Sequence, residues 1–549
     1  MKKLIFLLLL ILVGVTVFLY RTGERQGRIK MNNDFDASVQ GLMDIQVEHF
    51  CENGIDVKVE DKSISSFGYD VRLEKGLRLF VPEDFMEDIM GCSVLEYKDG
   101  HVEVDRADVS LEFKQADLLS GENAFYVPID ESADILGYKI NYSFKDGYVN
   151  FTNTDGGKYL PTAYDLREHD RVSPVRDQGE YGTCWAFAAL GALETVGMPK
   201  EENVYSVDHM SRNNGFSLEL SEGGEHTMSI AYMASWKGPV LEKDDPYGDG
   251  ETNPDLKAVK HLEEAIIIES RDDEKIKSAI FKYGGVESSI YMEMPYGNQS
   301  TQYYDSTNAS YYYNGEEKST HDLVIVGWDD NYPKEKFKQP PERDGAYICK
   351  NSWGESFGEN GYFYVSYDDT NICKKSIVYT RLGEADDYDH IYQSDKLGWL
   401  GQMGFNEESA YFANVYTAES DETLEAVSFY ATGDDTTFKV FIVEDYKDVK
   451  SLNGGRKEIG KGETRYSGYY TVDLSKKVEL KRGQKYAIIM SIKTPGSERP
   501  IAIECDAGDR TKDFDLTDGE GYMSLYGENW MSAEESEANI CLKAFTKDK

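Results

Sequence analysis

The chain has 549 residues, 100 of them acidic and 59 basic, for a net charge of −41. That balance excludes nucleic acid as a principal partner, because phosphate backbones demand clustered Lys and Arg. The length calls for several domains rather than one, and a content of 39 Tyr is in keeping with β-rich ones.

At the start, Lys2-Lys3 precede Leu4–Tyr20, a run of 17 residues without charge, and Arg21, Arg25, Arg28 and Lys30 follow. A basic flank before an apolar run is a secretion signal. No small-x-small cleavage site follows, and the run is at the lower limit for a membrane-spanning helix. Residues 1–30 are therefore read as a signal peptide or signal anchor, with the uncleaved anchor preferred. Either way the bulk of the chain is expected to be extracytoplasmic, secreted or membrane-anchored by this segment.

Residues 31–158 contain an internal repeat. Phe80-Val-Pro82, Ile89-Met-Gly91, Tyr97-Lys-Asp-Gly100 and Val102 return as Tyr126-Val-Pro128, Ile135-Leu-Gly137, Phe144-Lys-Asp-Gly147 and Val149, offset by 46 and then 47 residues. Each unit reads as a strand, a short helix and a hairpin closed by Asp-Gly. The repeat resembles the copper-amine-oxidase N-terminal-like domain, a cell-surface module, although no metal-ligand set is present. The region stands where an inhibitory propeptide would, yet lacks a long charged helical pattern. It is read as a stalk or docking module. Asp155-Gly-Gly157 follows as a linker.

Residues 159–382 hold the chemistry. Cys184 lies in Gln178-Gly-Glu-Tyr-Gly-Thr-Cys-Trp-Ala-Phe187 and opens an apolar, helix-compatible run, Trp185 to Thr195. A helix start favours an anion, because its free amides and dipole point at it. His321 leads Leu323-Val-Ile-Val-Gly327, a continuous apolar run that reads as a buried strand. Asn351 in Lys350-Asn-Ser-Trp-Gly354 can fix the imidazole, and Trp353 can cover that contact. The amide of Gln178, with the backbone amide of Cys184, can hold an oxyanion. Glu225 to Gly238 and Asp273 to Tyr283 show helical spacing, and the part from Val286 onward is strand-rich.

These residues resemble the papain-like cysteine peptidases, over roughly residues 159–382. Cys184 to His321 is 137 residues and Cys184 to Asn351 is 167. The family spacing is about 130–150, and the excess falls in the charged stretch Asp329 to Gly345, an inserted surface loop. Leu160-Pro-Thr-Ala-Tyr-Asp-Leu-Arg167, Gly223-Gly224, Pro246-Tyr247 and Gly354…Gly361-Tyr-Phe-Tyr364 also fall in family order. The resemblance implies Cys184 as nucleophile, His321 as base, Asn351 as orienter and Gln178 as oxyanion donor, with Trp353 and Trp185 in support. Tyr181 and Ser221-Glu222 stand where the family has a disulfide pair, Phe357 where Trp is usual, and Asp322 where a small apolar residue is usual. Repacking is expected at the first, and an altered pH dependence at the last.

Against these readings stand plainer ones. A lone Cys in an apolar helix is most often a small core residue; Gln178, His321 and Asn351 in order argue otherwise. His49, His101, His169, His209, His226, His261 and His390 are surface or packing residues. No His/Cys cluster has metal-ligand spacing, and no cofactor or metal is expected. Asn298-Gln-Ser and Asn308-Ala-Ser match glycosylation sequons. Besides Cys184, Cys51 and Cys92, Cys349 and Cys373, and Cys505 and Cys541 fall two to a region. One disulfide per region and a fully reduced set both remain open.

Residues 383–549 begin with the acidic turn Gly383 to Asp387. Short β-type runs then recur: Leu424 to Tyr430, Phe438 to Val443, Lys485 to Ile492 and Ile501 to Glu504. This is a β-sandwich pattern. It resembles the lectin-like domain appended to papain-like peptidases of clostridia-type bacteria. Trp399 and Trp530 are candidates for stacking on sugar, with core packing the commoner role.

The expected fold class is α+β: a two-lobed papain-like peptidase, helical lobe plus β-barrel-like lobe, between a small α+β repeat domain and a C-terminal β-sandwich. The expected activity is cysteine endopeptidase on protein or peptide substrates, with a surface glycan as a further partner of the C-terminal region. A surface adhesin on an inactive peptidase scaffold, and a cell-wall acyl transferase using the same Cys-His pair, are the alternatives.

Overall fold

The computed structural model describes residues 55–549 except 65–68, 75–77, 122–123, 131, 144–145, 158 and 294–298. The 1–30 segment, His49, Cys51, the Asn298 sequon, and Phe144 and Lys145 of the repeat lie outside the described residues. Among the described residues no helix is long and apolar enough to cross a membrane. The chain forms two compact units, Met1–Leu160 and Pro161–Lys549.

In the first unit the repeat becomes strand Arg78–Pro82, helix Glu83–Asp88 and hairpin Ser93–Glu96/Val102–Arg106, then strand Phe125–Pro128 and hairpin Tyr138–Ser143/Tyr148–Asn153. The two leading strands pair with each other, Val81 opposite Val127. Gly100 and Gly147 turn the hairpins at φ +81° and +75°, a region only glycine enters freely. Where the second repeat was expected to form a helix it forms turns. Phe85 and Met86 of the first helix are fully buried, whereas 46 residues on from Met86 the second repeat has Ser132, which supplies no apolar side chain.

Nine strands and one helix position the site in the second unit. Helix α1 is Cys184–Gly197. The strands are β1 Lys260–Ile268, β2 Val286–Ile290, β3 His321–Asp329, β4 Ala346–Lys350, β5 Tyr362–Ser366, β6 Ser376–Glu384, β7 Glu422–Ala431, β8 Ser467–Leu480 and β9 Leu542–Asp548. They make one continuous sheet in the order β5-β4-β3-β2-β6-β1-β8-β7-β9. Strand β1 is the junction: its Glu264 faces Tyr470 and its Ile267 faces Ser467 of β8. The peptidase-like part and the C-terminal part thus share backbone hydrogen bonds. The acidic turn after β6 lies inside this common sheet rather than on a free linker.

A second sheet, with Lys457–Thr464, Thr436–Val443, Lys485–Lys493 and Ser409–Thr417 as neighbours, covers the C-terminal end of the first. Phe429 meets Phe438 across the gap at 4.9 Å. Asn414 Nδ2 donates to the carbonyls of Ile540 and Leu542 at 3.0 and 2.8 Å. This is the β-sandwich, and the α+β class holds.

The apolar run of α1 is buried from Trp185 to Thr195. Gly191 allows α1 onto β3, since a methyl there would stand 3.1 Å from Val324 Cγ2. The charged insertion Asp329 to Gly345 is largely exposed, pinned by the buried rings of Tyr332 and Phe337. Cys92, Cys184, Cys349, Cys373, Cys505 and Cys541 are all free, so Cys349–Cys373 and Cys505–Cys541 bridges do not form.

Candidate active site

Cys184 is the first residue of α1 and is half-buried rather than enclosed. His321 is the first residue of β3 and is 6% exposed. Because α1 packs on β3, the two chain positions meet at corresponding ends of the two elements. The backbone N–H of Asp322, next to His321, bears on the Cys184 sulfur, together with the N–H groups of Cys184 and Trp185. These amides pull the thiol pKa down, as expected of a helix start. Burial outweighs them and, with the Asp322 carboxylate, pushes the thiol up to about 12. Burial also holds the His321 imidazole down to about 4, against the hydrogen bond it donates to Asn351. Each group alone is therefore neutral at pH 7. The sulfur can lose its proton only to a partner that takes it at the same site.

The imidazole is held by two contacts. Its Nε2 is 2.7 Å from Asn351 Oδ1. The same Oδ1 accepts from the Ser352 backbone N–H at 2.8 Å, which identifies it as the oxygen. Nε2 must then carry the hydrogen, leaving the Nδ1 lone pair free to accept a proton. The ring of Trp353 lies over the imidazole at 4.6 Å. Phe357 stands edge-on to Trp353 at 5.0 Å and against Tyr304 at 5.1 Å, so the smaller aromatic still fills this place.

Gln178 is fixed at both ends of its amide. Ser352 Oγ donates to its Oε1 at 2.7 Å, and its Nε2 donates to the Tyr181 carbonyl at 2.8 Å. An amide nitrogen has two hydrogens, so one remains for a ligand. The Gln178 main chain donates to the Ser352 carbonyl at 2.8 Å and accepts from Tyr247 OH at 2.8 Å. Tyr247 OH is in turn 2.7 Å from Thr183 Oγ1, next to the sulfur-bearing residue.

Where a disulfide is missing, the backbones have closed up. Gly182 N–H donates to the Leu220 carbonyl at 2.9 Å. A Cβ on Gly182 would lie 3.0 Å from Gly223 N, and one on Gly224 would lie 2.4 Å from the Trp185 ring. Trp185 thus seats the Gly223-Gly224 loop beside Cys184. Glu225, next along, pairs with Arg510 from the C-terminal part.

Sequence reasoning passed over the buried polar layer beneath. Glu194 in α1 is 2% exposed and accepts from Ser173 Oγ, from Arg176 at 3.1 Å and from Tyr205 N at 2.9 Å. Lys350, next to Asn351, donates to Ser173 Oγ at 2.6 Å. The one available signal was a lone carboxylate in an otherwise apolar helix. In the C-terminal part His390, Glu422 and Asp548 bring donor atoms within 4.8 Å of one another. Tyr392 and Thr546 already donate to both Glu422 oxygens, at 2.7 and 2.9 Å.

Residues 160–380 match the model of the papain family of cysteine proteases, and residues 391–546 that of the lectin-like domain. Cysteine proteinase 1 of Zea mays is 30% identical over 246 residues, which cover 42% of this chain and 60% of that protein. A cathepsin L-like peptidase of Aedes aegypti is 28% identical over 286 residues, covering 46% of this chain and 77% of that protein. The chain spans 58% to 60% of the length of the first four curated relatives it matches. A solved structure of the cysteine protease and lectin-like domains of Cwp84, a surface layer associated protein of Clostridium difficile, is similar with a TM-score of 0.61. Its identity is 26%, and the match covers 71% of this chain and 89% of that one.

Proposed function

We propose that this chain, whose residues 160–380 are a papain-family peptidase domain and whose residues 391–546 are a lectin-like domain, is an extracytoplasmic cysteine endopeptidase. Cys184 Sγ attacks a peptide carbonyl carbon while its proton passes to His321 Nδ1. The carbonyl electron pair moves onto oxygen, where the Cys184 N–H and the free Nε2 hydrogen of Gln178 receive it. Collapse expels the amine, which takes the proton from His321. Water then adds to the thioester, giving its proton to the same nitrogen; the C–S bond breaks, the departing sulfur takes that proton back from His321 and the acid leaves.

The observation that carries this reading is the two-donor arrangement at Asn351 Oδ1, which fixes the tautomer a base needs. The uncharged run Leu4–Tyr20 and the surface-layer association of Cwp84 support an extracytoplasmic place, anchored or secreted. A surface glycan is the proposed partner of residues 391–546. We read residues 31–158 as a stalk or docking module.

The test is selective labelling by a thiol-directed epoxide at mildly acidic pH, with hydrolysis of a denatured protein followed in parallel. Cys184→Ala is expected to lose both. A wild type that is neither labelled nor active would overturn the proposal. Products carrying a new acyl acceptor in place of water would mark an acyl transferase.

A further inference from the structure

A cavity of about 680 Å³ opens where β1 and β8 join the peptidase-like and lectin-like parts. That volume is in the range of small-molecule sites, about 300–1,000 Å³. Ile267, Ile268 and Lys275 line it from one side, Trp399, Tyr466 and Arg499 from the other. It is separate from the Cys184 site, whose residues do not line it.

Three lining residues hold a buried polar atom with no hydrogen-bond partner: His226 Nε2, Ser270 Oγ and Thr432 Oγ1. Leaving such an atom unmet costs about 1–3 kcal/mol, so their gathering around one space marks a place where hydroxyls are received. Burial holds the His226 imidazole down to about 4; it is neutral at pH 7 and suited to a hydroxyl rather than a carboxylate. Trp399 and Tyr466 are both half-buried and offer rings of the kind that stack on sugar faces.

The charge is also unusual for this protein. In a chain of net charge −41, this cavity is lined by three cations, Lys275, Lys375 and Arg499, against Glu269 and Asp434. Lys375 is spent on Glu269 at 2.9 Å. Asp434 Oδ1 accepts from the Ser467 N–H at 3.1 Å. Lys275 lies over the Tyr466 ring at 5.8 Å and, like Arg499, has no carboxylate partner among the described residues. With Lys375 and Glu269 paired, Lys275 and Arg499 outnumber the Asp434 carboxylate, and a positive excess in a concave site focuses an anion.

We propose that this junction cavity is the binding site of an anionic saccharide, with its carboxylate or phosphate on Arg499 and Lys275, a ring face on Trp399 and hydroxyls on His226, Ser270 and Thr432. The inference rests on the glycan-binding reading of residues 391–546 and adds the site and the charge of the ligand. Because β1 and the start of the His226–Ala234 helix form part of the wall, the ligand touches both parts of the unit at once.

The test is calorimetric titration of the full chain with tri-galacturonate, with a mannose-6-phosphate disaccharide and with neutral cellotriose, at two salt concentrations. At least one anionic probe is expected to bind ten-fold or more tightly than cellotriose, and more weakly at high salt. Which anion binds separates uronate from phosphate. Arg499→Gln and Thr432→Val are each expected to weaken it about ten-fold while peptide hydrolysis and the unfolding midpoint stay as in the wild type. Anionic binding unchanged in both variants would overturn the site and leave glycan binding standing. Equal binding of cellotriose would overturn the charge assignment. No binding of any saccharide by the wild type would overturn the glycan reading itself.

Discussion

Asn351→Ala removes the one side-chain oxygen that accepts from both His321 Nε2 and the Ser352 N–H, at 2.7 and 2.8 Å. The imidazole stays under Trp353, so the ring is retained while its tautomer and rotation are freed. A buried hydrogen bond to a group that becomes charged is worth about 1.5–3 kcal/mol. That is about a 10- to 150-fold loss in kcat/KM, carried by kcat, since Asn351 binds His321 rather than substrate. The assay is steady-state hydrolysis of a fluorogenic peptide, with chemical unfolding of both proteins alongside. A variant with kcat/KM within two-fold of wild type and an unchanged unfolding midpoint would refute the role assigned to this contact.

Asp322 has its carboxyl pushed up to about 6 by burial, against a hydrogen bond from Ser289, and its charge raises the Cys184 pKa. Below about 6 it is protonated and no longer opposes the thiolate; above, it does. Asp322→Asn is therefore expected to move the iodoacetamide alkylation profile of Cys184 to lower pH by about one unit and to erase any inflection near 6; an unmoved profile would count against the contact. Gly224→Ala would drive a methyl to 2.4 Å from Trp185, itself 2% exposed. It is expected to cost about 1–3 kcal/mol by denaturant titration and to lower kcat/KM. Glu194→Ala leaves the buried Ser173–Lys350 pair without its carboxylate, while Arg176 keeps Glu242 at 3.1 Å. A loss of about 3–5 kcal/mol is expected, and a smaller loss would show that water enters this layer.

Much of the site was legible one element at a time. The apolar run after Cys184 and the one after His321 became α1 and β3, because burial on all sides leaves a local apolar signature. Asp273 to Tyr283 is a helix over those same residues, begun by Asp272 and stopped by Gly284. The hairpin glycines of the repeat turned where Asp-Gly stood. The second repeat helix gave way to turns because the echo between the repeats lies in the flanking strands and glycines, and where the first helix buries Met86 the second repeat has Ser132.

What the amino-acid order determined by itself is the inventory and its local geometry: a sulfur at a helix start, an imidazole at a strand start, an amide to hold it. Tertiary structure alone decided which nitrogen of His321 carries the hydrogen, since the Ser352 N–H marks Asn351 Oδ1 as the acceptor that faces Nε2. It likewise decided that Glu264 pairs with Tyr470, so that two apparent domains share a sheet with a cavity at the seam. Both outcomes depend on which strand edges and polar atoms meet across long stretches of chain. Such meetings are settled by the packing of the whole and leave no periodic trace in either partner.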